Sequence, residues 1–313
     1  MIKNIGILGA SSFIGQELIK QLKIKNINIY IFSRKKKKYK NIRSKNIFFI
    51  RGQFNKKDLV KFFNKVDVVI NLIAEIENIE TMYDVNVRML KKIISLSKKK
   101  IKKIIHISSV SVYGKNMGKI LTESSQCLPD QEYGKTKLIA ENLIIEASKK
   151  NFFKAVIIRP STILGKNMKN QSIFKMIDLI KENKFFYFNN KNSNMNYIYV
   201  NDFCAVITEF VDYNNFNKYE IFNYSNKIKL QKFVKIILKR FNKKDNLINL
   251  PYKLIKIISY LHCFFKKFPL KPSRVNALNV TTSYSNNKIA KLIDIKKYNN
   301  IEKGILELIE KFD

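Results

Sequence analysis

The chain has no tryptophan, two histidines, three cysteines, five prolines and nine glycines, and its acidic side chains are outnumbered 24 to 60 by lysine and arginine. Each scarcity excludes something. Cys127, Cys204 and Cys263 are odd in number and far apart, which gives neither a disulfide framework nor a metal-ligand spacing. With His106 and His262 the only imidazoles, a zinc centre is not expected. Long apolar runs are missing as well. No uncharged stretch approaches the roughly 18 residues that span a bilayer, and the apolar start at Ile5 meets glycine too early to form a signal-peptide core. The expectation is a protein of the reducing cytoplasm with no membrane span.

What is abundant is lysine. The 313 residues carry a formal net charge of +36, and behind it stand 53 lysines and seven arginines, beside 48 isoleucines and 36 asparagines. Lysine, isoleucine and asparagine share A/T-rich codons, whereas a surface that reads phosphates or bases favours the planar arginine fork. The basic runs 35–38 and 98–103 are short and dispersed. A compositional coat therefore explains the charge, and no specific nucleic-acid partner is expected. Apolar residues at 46% exclude a disordered chain, and the length can bury a sizeable core.

The first half alternates short β-type runs (5–8, 29–32, 47–50, 66–70, 104–108 and 155–159) with helical patterns (13–22, 58–63, 82–98 and 133–149). Near-continuous apolar strands between helices predict a doubly wound α/β domain with a parallel sheet, of Rossmann type. After Arg159-Pro160 the texture changes, with Asn-rich loops between shorter elements. The expected division is a dinucleotide-binding domain over 1–165 and a smaller C-terminal substrate lobe over 166–313, with returns to the sheet near 197–223. The amphipathic segment 254–265 reads as a core-facing helix of that lobe, with a membrane surface as the alternative.

The first strand runs into Gly9-Ala-Ser-Ser-Phe-Ile-Gly15 and then a helix. Glycine at the strand end permits a tight turn, glycine in the first helical turn permits close packing, and the helix N-terminus offers N–H groups to a pyrophosphate. Gly9, Ser11, Ser12, Phe13, Ile14 and Gly15 are the candidate contacts. Ser12 stands where a middle glycine would let phosphates approach, and its hydroxyl either donates to a phosphate or its Cβ holds the cofactor off. The second strand ends in Ser33 and Arg34 rather than a carboxylate. That pair suits a 2′-phosphate, so the cofactor is NAD or NADP, with Arg34 favouring NADP. Alternatively, Arg34 only begins the solvated run 35–38.

The fifth strand ends in Ser108-Ser109-Val110-Ser111-Val112-Tyr113-Gly114, and some twenty residues on Tyr133-Gly-Lys-Thr-Lys137 opens a helix. Tyr133 and Lys137, four apart, face the same way. A nearby ammonium favours phenolate and lowers the tyrosine pKa from about 10. With Ser109 as a hydrogen-bond partner for the same substrate oxygen, the three form a proton-exchange set matched to hydride transfer at a nicotinamide.

These residues resemble the extended short-chain dehydrogenase/reductases, in particular the nucleotide-sugar epimerase/dehydratase branch. The loop 8–15 is similar to the family's Thr-Gly-x-x-Gly-x-x-Gly, with Leu8 and Ser12 departing from it. The segment 67–74 is similar to Asp-Val-Val-x-His-x-Ala-Ala, with Asn71 replacing His. Arg159-Pro160 opens a segment like Arg-Pro-x-x-x-Tyr-Gly, and 197–202 resembles Tyr-Ile-His-Val-Asp-Asp. The resemblance implies Ser109, Tyr133 and Lys137 as catalytic residues. It adds Gln53, Phe54, Leu72, Ala74, Asn86 and Pro160 on the cofactor side, and Ser111, Thr162 and Arg274 toward a nucleotide-diphosphate sugar. It also implies a homodimer through the helices at 82–98 and 133–149. For Ser111 and Asp202 local readings stand beside these, a loop hydroxyl and a helix N-cap. Glu141 reads as a partner of Lys137 one turn back. Arg34, Arg159 and Arg274 are the guanidiniums expected to read phosphate.

In the 4,6-dehydratase branch an Asp-Glu pair follows the catalytic Thr; here Val110 and Ser111 follow Ser109, which disfavours loss of water. An NAD(P)-dependent 4-epimerase is the leading expectation, serving polysaccharide biosynthesis. An NADPH-dependent 4-ketosugar reductase is the alternative. A non-catalytic regulatory or RNA-binding protein of the same fold is the reading from another class, and the intact Ser–Tyr–Lys set argues against it.

Overall fold

The computed structural model describes residues 4–24, 27–34, 44–114, 120–168, 171–188, 192–251, 253–254 and 282–312. The apolar runs of the first half become five strands, β1 (Asn4–Leu8), β2 (Asn28–Ser33), β3 (Ile47–Arg51), β4 (Val68–Asn71) and β5 (Lys103–Ile107). After the short β6 (Ile120–Leu121) come β7 (Lys154–Pro160), β8 (Thr162–Leu164), β9 (Tyr187–Phe188), β10 (Asn194–Tyr199) and β11 (Tyr219–Tyr224). Seven of them form one sheet in the order β11-β7-β5-β4-β1-β2-β3, every pairing parallel. The order reverses between β1 and β4, and the crevice outside the carboxyl ends at such a point is where open α/β sheets bind ligands.

Alternate residues of each strand feed opposite cores. Ile105 and Ile107 join Ile5, Ile7 and Ile70 beneath α1 (Phe13–Leu22). Ile104, Val69 and Ile157 pack under α2 (Lys56–Phe63), α4 (Met89–Ser97) and α5 (Glu132–Lys149). Between α2 and α4 lies the short α3 (Ile79–Tyr83), which runs into α4 through a π-helical turn, Asp84–Arg88. A single helix over 82–98 was the expectation. The wider turn places Asn86 inward, and such bulges mark functional positions.

The second half is split between the lobes. Helix α7 (Val200–Asp212) lies beside α1, burying Phe203, Val206, Ile207 and Phe210, and β11 extends the sheet beyond β7. At the far end of α7 a buried lysine closes the helix: Lys103 Nζ donates to the carbonyls of Phe210 (2.9 Å), Val211 (2.6 Å) and Tyr213 (2.7 Å) and to Asn214 Oδ1 (3.1 Å). Asp202 is not the N-cap of α7. Tyr199 holds that place, and Asp202, in the first turn, accepts from Asn300 N at 2.6 Å and Nδ2 at 2.7 Å.

The smaller lobe wraps α6 (Gln171–Lys181), α8 (Leu230–Arg240) and the C-terminal helix Ile301–Ile309 around Ile177, Phe233, Ile237 and Leu308. Its sheet pairs β10 with β8 and with β12 (Asn226–Lys229). Two short parallel pairs, β9 with β13 (Asn249–Leu250) and β6 with β14 (Ser283–Tyr284), complete the strands. No helix among the described residues is long and apolar enough to cross a membrane. Residues 255–265 of the predicted amphipathic segment lie outside the described residues.

Candidate active site

The loop after β1 is built for close approach. Gly9 has φ +79°, and a Cβ on Gly15 would lie 2.7 Å from the Ala10 Cα, so α1 starts hard against the end of the strand. Ser12 has extended backbone (φ −69°, ψ 163°) and caps α1, its Oγ accepting from Gly15 N at 3.1 Å. No glycine conformation is required there. The hydroxyl proton stays available to an incoming phosphate oxygen, so the loop fits a pyrophosphate at a helix N-terminus. Ser11 is exposed, with its carbonyl accepting from Gln16 Nε2 at 3.2 Å. Phe13 and Ile14 are half-buried; Phe13 packs against the cores of both lobes.

Ser33 ends β2 opposite Arg51 of β3, and Arg34 beside it is exposed. Gln53 is exposed, its N–H donating to Asp58 Oδ2 at 2.9 Å, and Phe54 sits edge-on to Phe32 with ring centres 4.7 Å apart. Leu72 is buried, its N–H donating to the Leu8 carbonyl at 3.0 Å, and Ala74 is half-buried on the same loop after β4. Asn86 ties that loop to α5: Oδ1 accepts from Glu75 N at 2.8 Å, while Nδ2 donates to the Glu75 carbonyl at 3.0 Å and to Thr136 Oγ1 at 3.1 Å.

Ser109 starts the 3-10 turn Val110–Tyr113 and accepts from Ser111 N at 3.1 Å. The first turn of α5, with Tyr133, presses on that turn. A Cβ on Gly134 would come within 2.5 Å of the Ser111 carbonyl oxygen. Lys137 is buried, donates from Nζ to the Ile107 carbonyl at 2.8 Å and stands 5.8 Å from the centre of the Tyr133 ring. Burial pulls the Lys137 ammonium down to about 8, with Glu141 opposing the fall. Burial pushes the Tyr133 phenol up to about 12. The lowering expected from the ammonium is not found: desolvation of the phenolate sets the direction.

Glu141 does not hydrogen-bond Lys137. It receives Arg159 in a bidentate pair (Nη2–Oε2 2.6 Å, Nε–Oε1 3.0 Å) and accepts from the Ser108 hydroxyl. Arg159 is 3% exposed, and its Nη1 donates to Tyr113 Oη at 2.8 Å. Fully engaged and buried, it is not free to read phosphate, which corrects the expectation from sequence. Asn71, which replaces the His of the family pattern, is bonded through both atoms of its amide. Its Oδ1 accepts from Ile73 N at 3.2 Å, which leaves Nδ2 to donate to His106 Nδ1 at 3.1 Å. His106 thus carries its proton on Nε2, which is buried without a partner among the described residues, and burial holds the ring well below the usual imidazole range.

Two serine hydroxyls are likewise buried without hydrogen-bond partners among the described residues, Ser111 Oγ and Ser161 Oγ. Ser111 was a substrate candidate from sequence. Ser161 was missed, although it directly follows Arg159-Pro160. Pro160 is buried at the end of β7, Thr162 is exposed on β8, and Arg274 lies outside the described residues.

The chain is similar to known proteins in sequence and in fold. An Escherichia coli O157:H7 protein, N-acetyl-α-D-glucosaminyl-diphospho-ditrans,octacis-undecaprenol 4-epimerase, is 27% identical over 92% of this chain and 89% of its own. Human dTDP-D-glucose 4,6-dehydratase is 26% identical over 58% of this chain and 57% of its own. The crystal structure of a Bacillus cereus UDP-glucuronic acid 4-epimerase in complex with NAD superposes with a TM-score of 0.74 at 20% identity, covering 99% of both chains. The profile of the NAD dependent epimerase/dehydratase family matches residues 5–224. Because that match runs from β1 to the last residue of β11 and so takes in the whole seven-stranded sheet, the chain belongs to the NAD dependent epimerase/dehydratase family.

Proposed function

We propose that the protein is a 4-epimerase of sugars carried on a diphosphate. The observation that bears most weight is the packing of the Tyr133 turn onto the Ser109–Ser111 turn, enforced at Gly134, with Lys137 fixed to the carbonyl of Ile107 beneath it. On this reading a phenol, a hydroxyl and an ammonium serve together at the carboxyl end of β5 and the start of α5, near the switch point of the sheet, where open α/β sheets bind ligands.

A bound nicotinamide would supply reversible hydride exchange at the sugar C4. Tyr133 takes the proton of the C4 hydroxyl as the hydride leaves, and gives it back to the C4 oxygen when the hydride returns to the other face. Ser109 donates to that oxygen while it is a carbonyl, and Lys137 favours the phenolate form of Tyr133 electrostatically. Between the two transfers the 4-ketosugar must turn over within the site. The unpartnered hydroxyls of Ser111 and Ser161 supply hydrogen bonds to sugar hydroxyls. Ser12 and the N–H groups of α1 hold the cofactor pyrophosphate. Arg34 reads a 2′-phosphate, which favours NADP over NAD.

The E. coli relative acts on a sugar attached through a diphosphate to a polyprenol, and the B. cereus structure is that of an enzyme for a UDP-linked sugar. Both carriers present the same diphosphate. The assay therefore has arms with UDP-N-acetylglucosamine, UDP-glucose, UDP-glucuronic acid and a polyprenyl-diphospho-N-acetylglucosamine, each without added cofactor. Formation of a 4-epimer in one arm supports the reading. No epimer in any arm, together with NADPH oxidation on a 4-ketosugar, makes the protein a reductase. Dimerisation through α4 and α5 is part of the proposal and is checked by sedimentation.

A further inference from the structure

Glu141 lies one helical turn beyond Lys137, 1% exposed, at a junction of three elements. Its Oε1 accepts from Ser108, the neighbour of Ser109 at the end of β5, and from Arg159 Nε at the end of β7. Its Oε2 takes Arg159 Nη2 at 2.6 Å. Arg159 passes the connection on through Nη1 to Tyr113, which closes the turn begun by Ser109 and donates in its turn to Asn223 Oδ1 at 2.7 Å. One carboxylate thus binds the residue next to Ser109, stands on the helix that carries Tyr133 and Lys137, and holds the arginine next to Pro160. A buried ion pair adds little net stability over apolar packing of the same volume. Its presence here is better explained by what it holds in place.

We propose that Glu141 is a positioning residue: through Ser108 and Arg159 it holds the strand end bearing Ser109 in register with the helix face bearing Lys137 and Tyr133. The inference rests on the reading of those three as the catalytic set. The electrostatics agree with the geometry. Around Lys137 stand Glu141 on its own helix, the neutral His106 on β5 and the phenol of Tyr133, and Glu141 is the group that opposes the loss of the Lys137 proton. Arg159 faces the same carboxylate from β7, with both of its oxygens engaged.

Three variants test this, Ser108→Ala, Glu141→Gln and Glu141→Asp, with two readouts. The first is the pH profile of kcat and KM on the active sugar. The second is the titration of Lys137 in cofactor-free protein, followed by NMR of 13C-methylated lysine and assigned against Lys137→Arg. Ser108→Ala leaves the ion pair whole and is expected to lower kcat about tenfold with KM within twofold, since it loosens only the strand end. Glu141→Gln is expected to lower kcat about 100-fold and to move the Lys137 titration to lower pH by about one unit, and Glu141→Asp to restore part of both. If Glu141→Gln does not fold, Ser108→Ala and Glu141→Asp carry the same comparison. Wild-type kcat in Ser108→Ala, or a Lys137 titration unmoved in the Glu141 variants, overturns the inference. A wild type without turnover but with the Lys137 titration moved in the Glu141 variants overturns the proposed function and upholds only the hold of Glu141 on Lys137; turnover in the wild type with kcat unchanged in Ser108→Ala and Glu141→Asp overturns this inference alone.

Discussion

The Lys137 ammonium stands 5.8 Å from the centre of the Tyr133 ring, one helical turn away, with a hydrogen bond of its own to the carbonyl of Ile107. Desolvation pulls this ammonium down to about 8 and the phenol up to about 12, so the two titrate far apart. Only charged Lys137 helps Tyr133 ionise. The reactive pair, charged Lys137 beside ionised Tyr133, is one proton short of the fully protonated set, so its population rises with pH up to Lys137's value of about 8 and is level above it. An acidic limb that breaks near pH 8 in kcat/KM is expected, and Lys137→Met should lower kcat by about 10²–10⁴ and abolish that break. A limb unchanged in Lys137→Met would assign it to another group.

Tyr133→Phe removes the only group in the set able to carry the proton to and from C4. Turnover should fall by about 10²–10⁴ while cofactor affinity stays within twofold. Gly134→Ala tests the packing rather than the chemistry. The added Cβ meets a backbone oxygen at 2.5 Å, so the first turn of α5 must retreat from Ser111. A displacement of this order at reacting groups costs about 100-fold in rate. The expected result is lost turnover with a circular dichroism spectrum like the wild type's; full activity in Gly134→Ala would separate the Tyr133 turn from the Ser109 turn.

The inner strands β4 and β5 were legible because they are buried on both faces and so read as unbroken apolar runs, and the apolar composition of the edge strand β3 sufficed although it is partly exposed; the strands predicted at 5–8 and 47–50 differ from β1 and β3 by one residue at one end. The catalytic set was legible because Tyr133 and Lys137 are related by helix period, which sequence spacing records. Glu141 shows the limit of that logic. Spacing of four offers Lys137 as its partner, yet the carboxylate turns to Arg159, 18 residues away and on the neighbouring strand, because only the arginine fork satisfies both its oxygens when water is absent. Ser12 shows another limit. Its departure from the glycine pattern is visible in sequence, but its capping of α1 depends on a ψ of 163° that sequence does not display.

Cofactor choice divides between two residues that can be tested apart. Arg34 is exposed at the end of β2, so Arg34→Ala should leave the fold intact. If the guanidinium reads a 2′-phosphate, NADPH affinity drops about tenfold and NADH affinity does not, as measured by fluorescence titration. Equal effects on both would show that Arg34 only begins the solvated lysine run. Ser12→Gly removes the cap at a cost of a few tenths of a kcal/mol. Tighter binding of either cofactor in Ser12→Gly would mean that the serine Cβ holds the phosphates away; weaker binding would mean that its hydroxyl donates to them.

Lys103 offers a stability test remote from the chemistry. Its ammonium satisfies three carbonyls at the end of α7 and Asn214 Oδ1, at 2.6–3.1 Å. Lys103→Met keeps much of the chain's length but leaves those acceptors unpaired, and an unsatisfied buried acceptor costs about 1–3 kcal/mol. Part of that loss is offset, because burial already penalises the charge: it lowers the Lys103 pKa from 10.5 to about 8, Asp212 opposing. A net destabilisation of about 2 kcal/mol is expected in urea unfolding at pH 7. The linkage has a definite sign. Between pH 8 and 10.5 the unfolded chain holds the Lys103 proton more tightly than the folded one, so this group makes the folded state relatively more stable as pH rises through that window. The stability difference between wild type and Lys103→Met should therefore widen from pH 8 to 10.5. A difference that narrows over that range would mean that the carbonyl cage stabilises the charged form more than burial disfavours it, and that the pKa of Lys103 lies above its ordinary value.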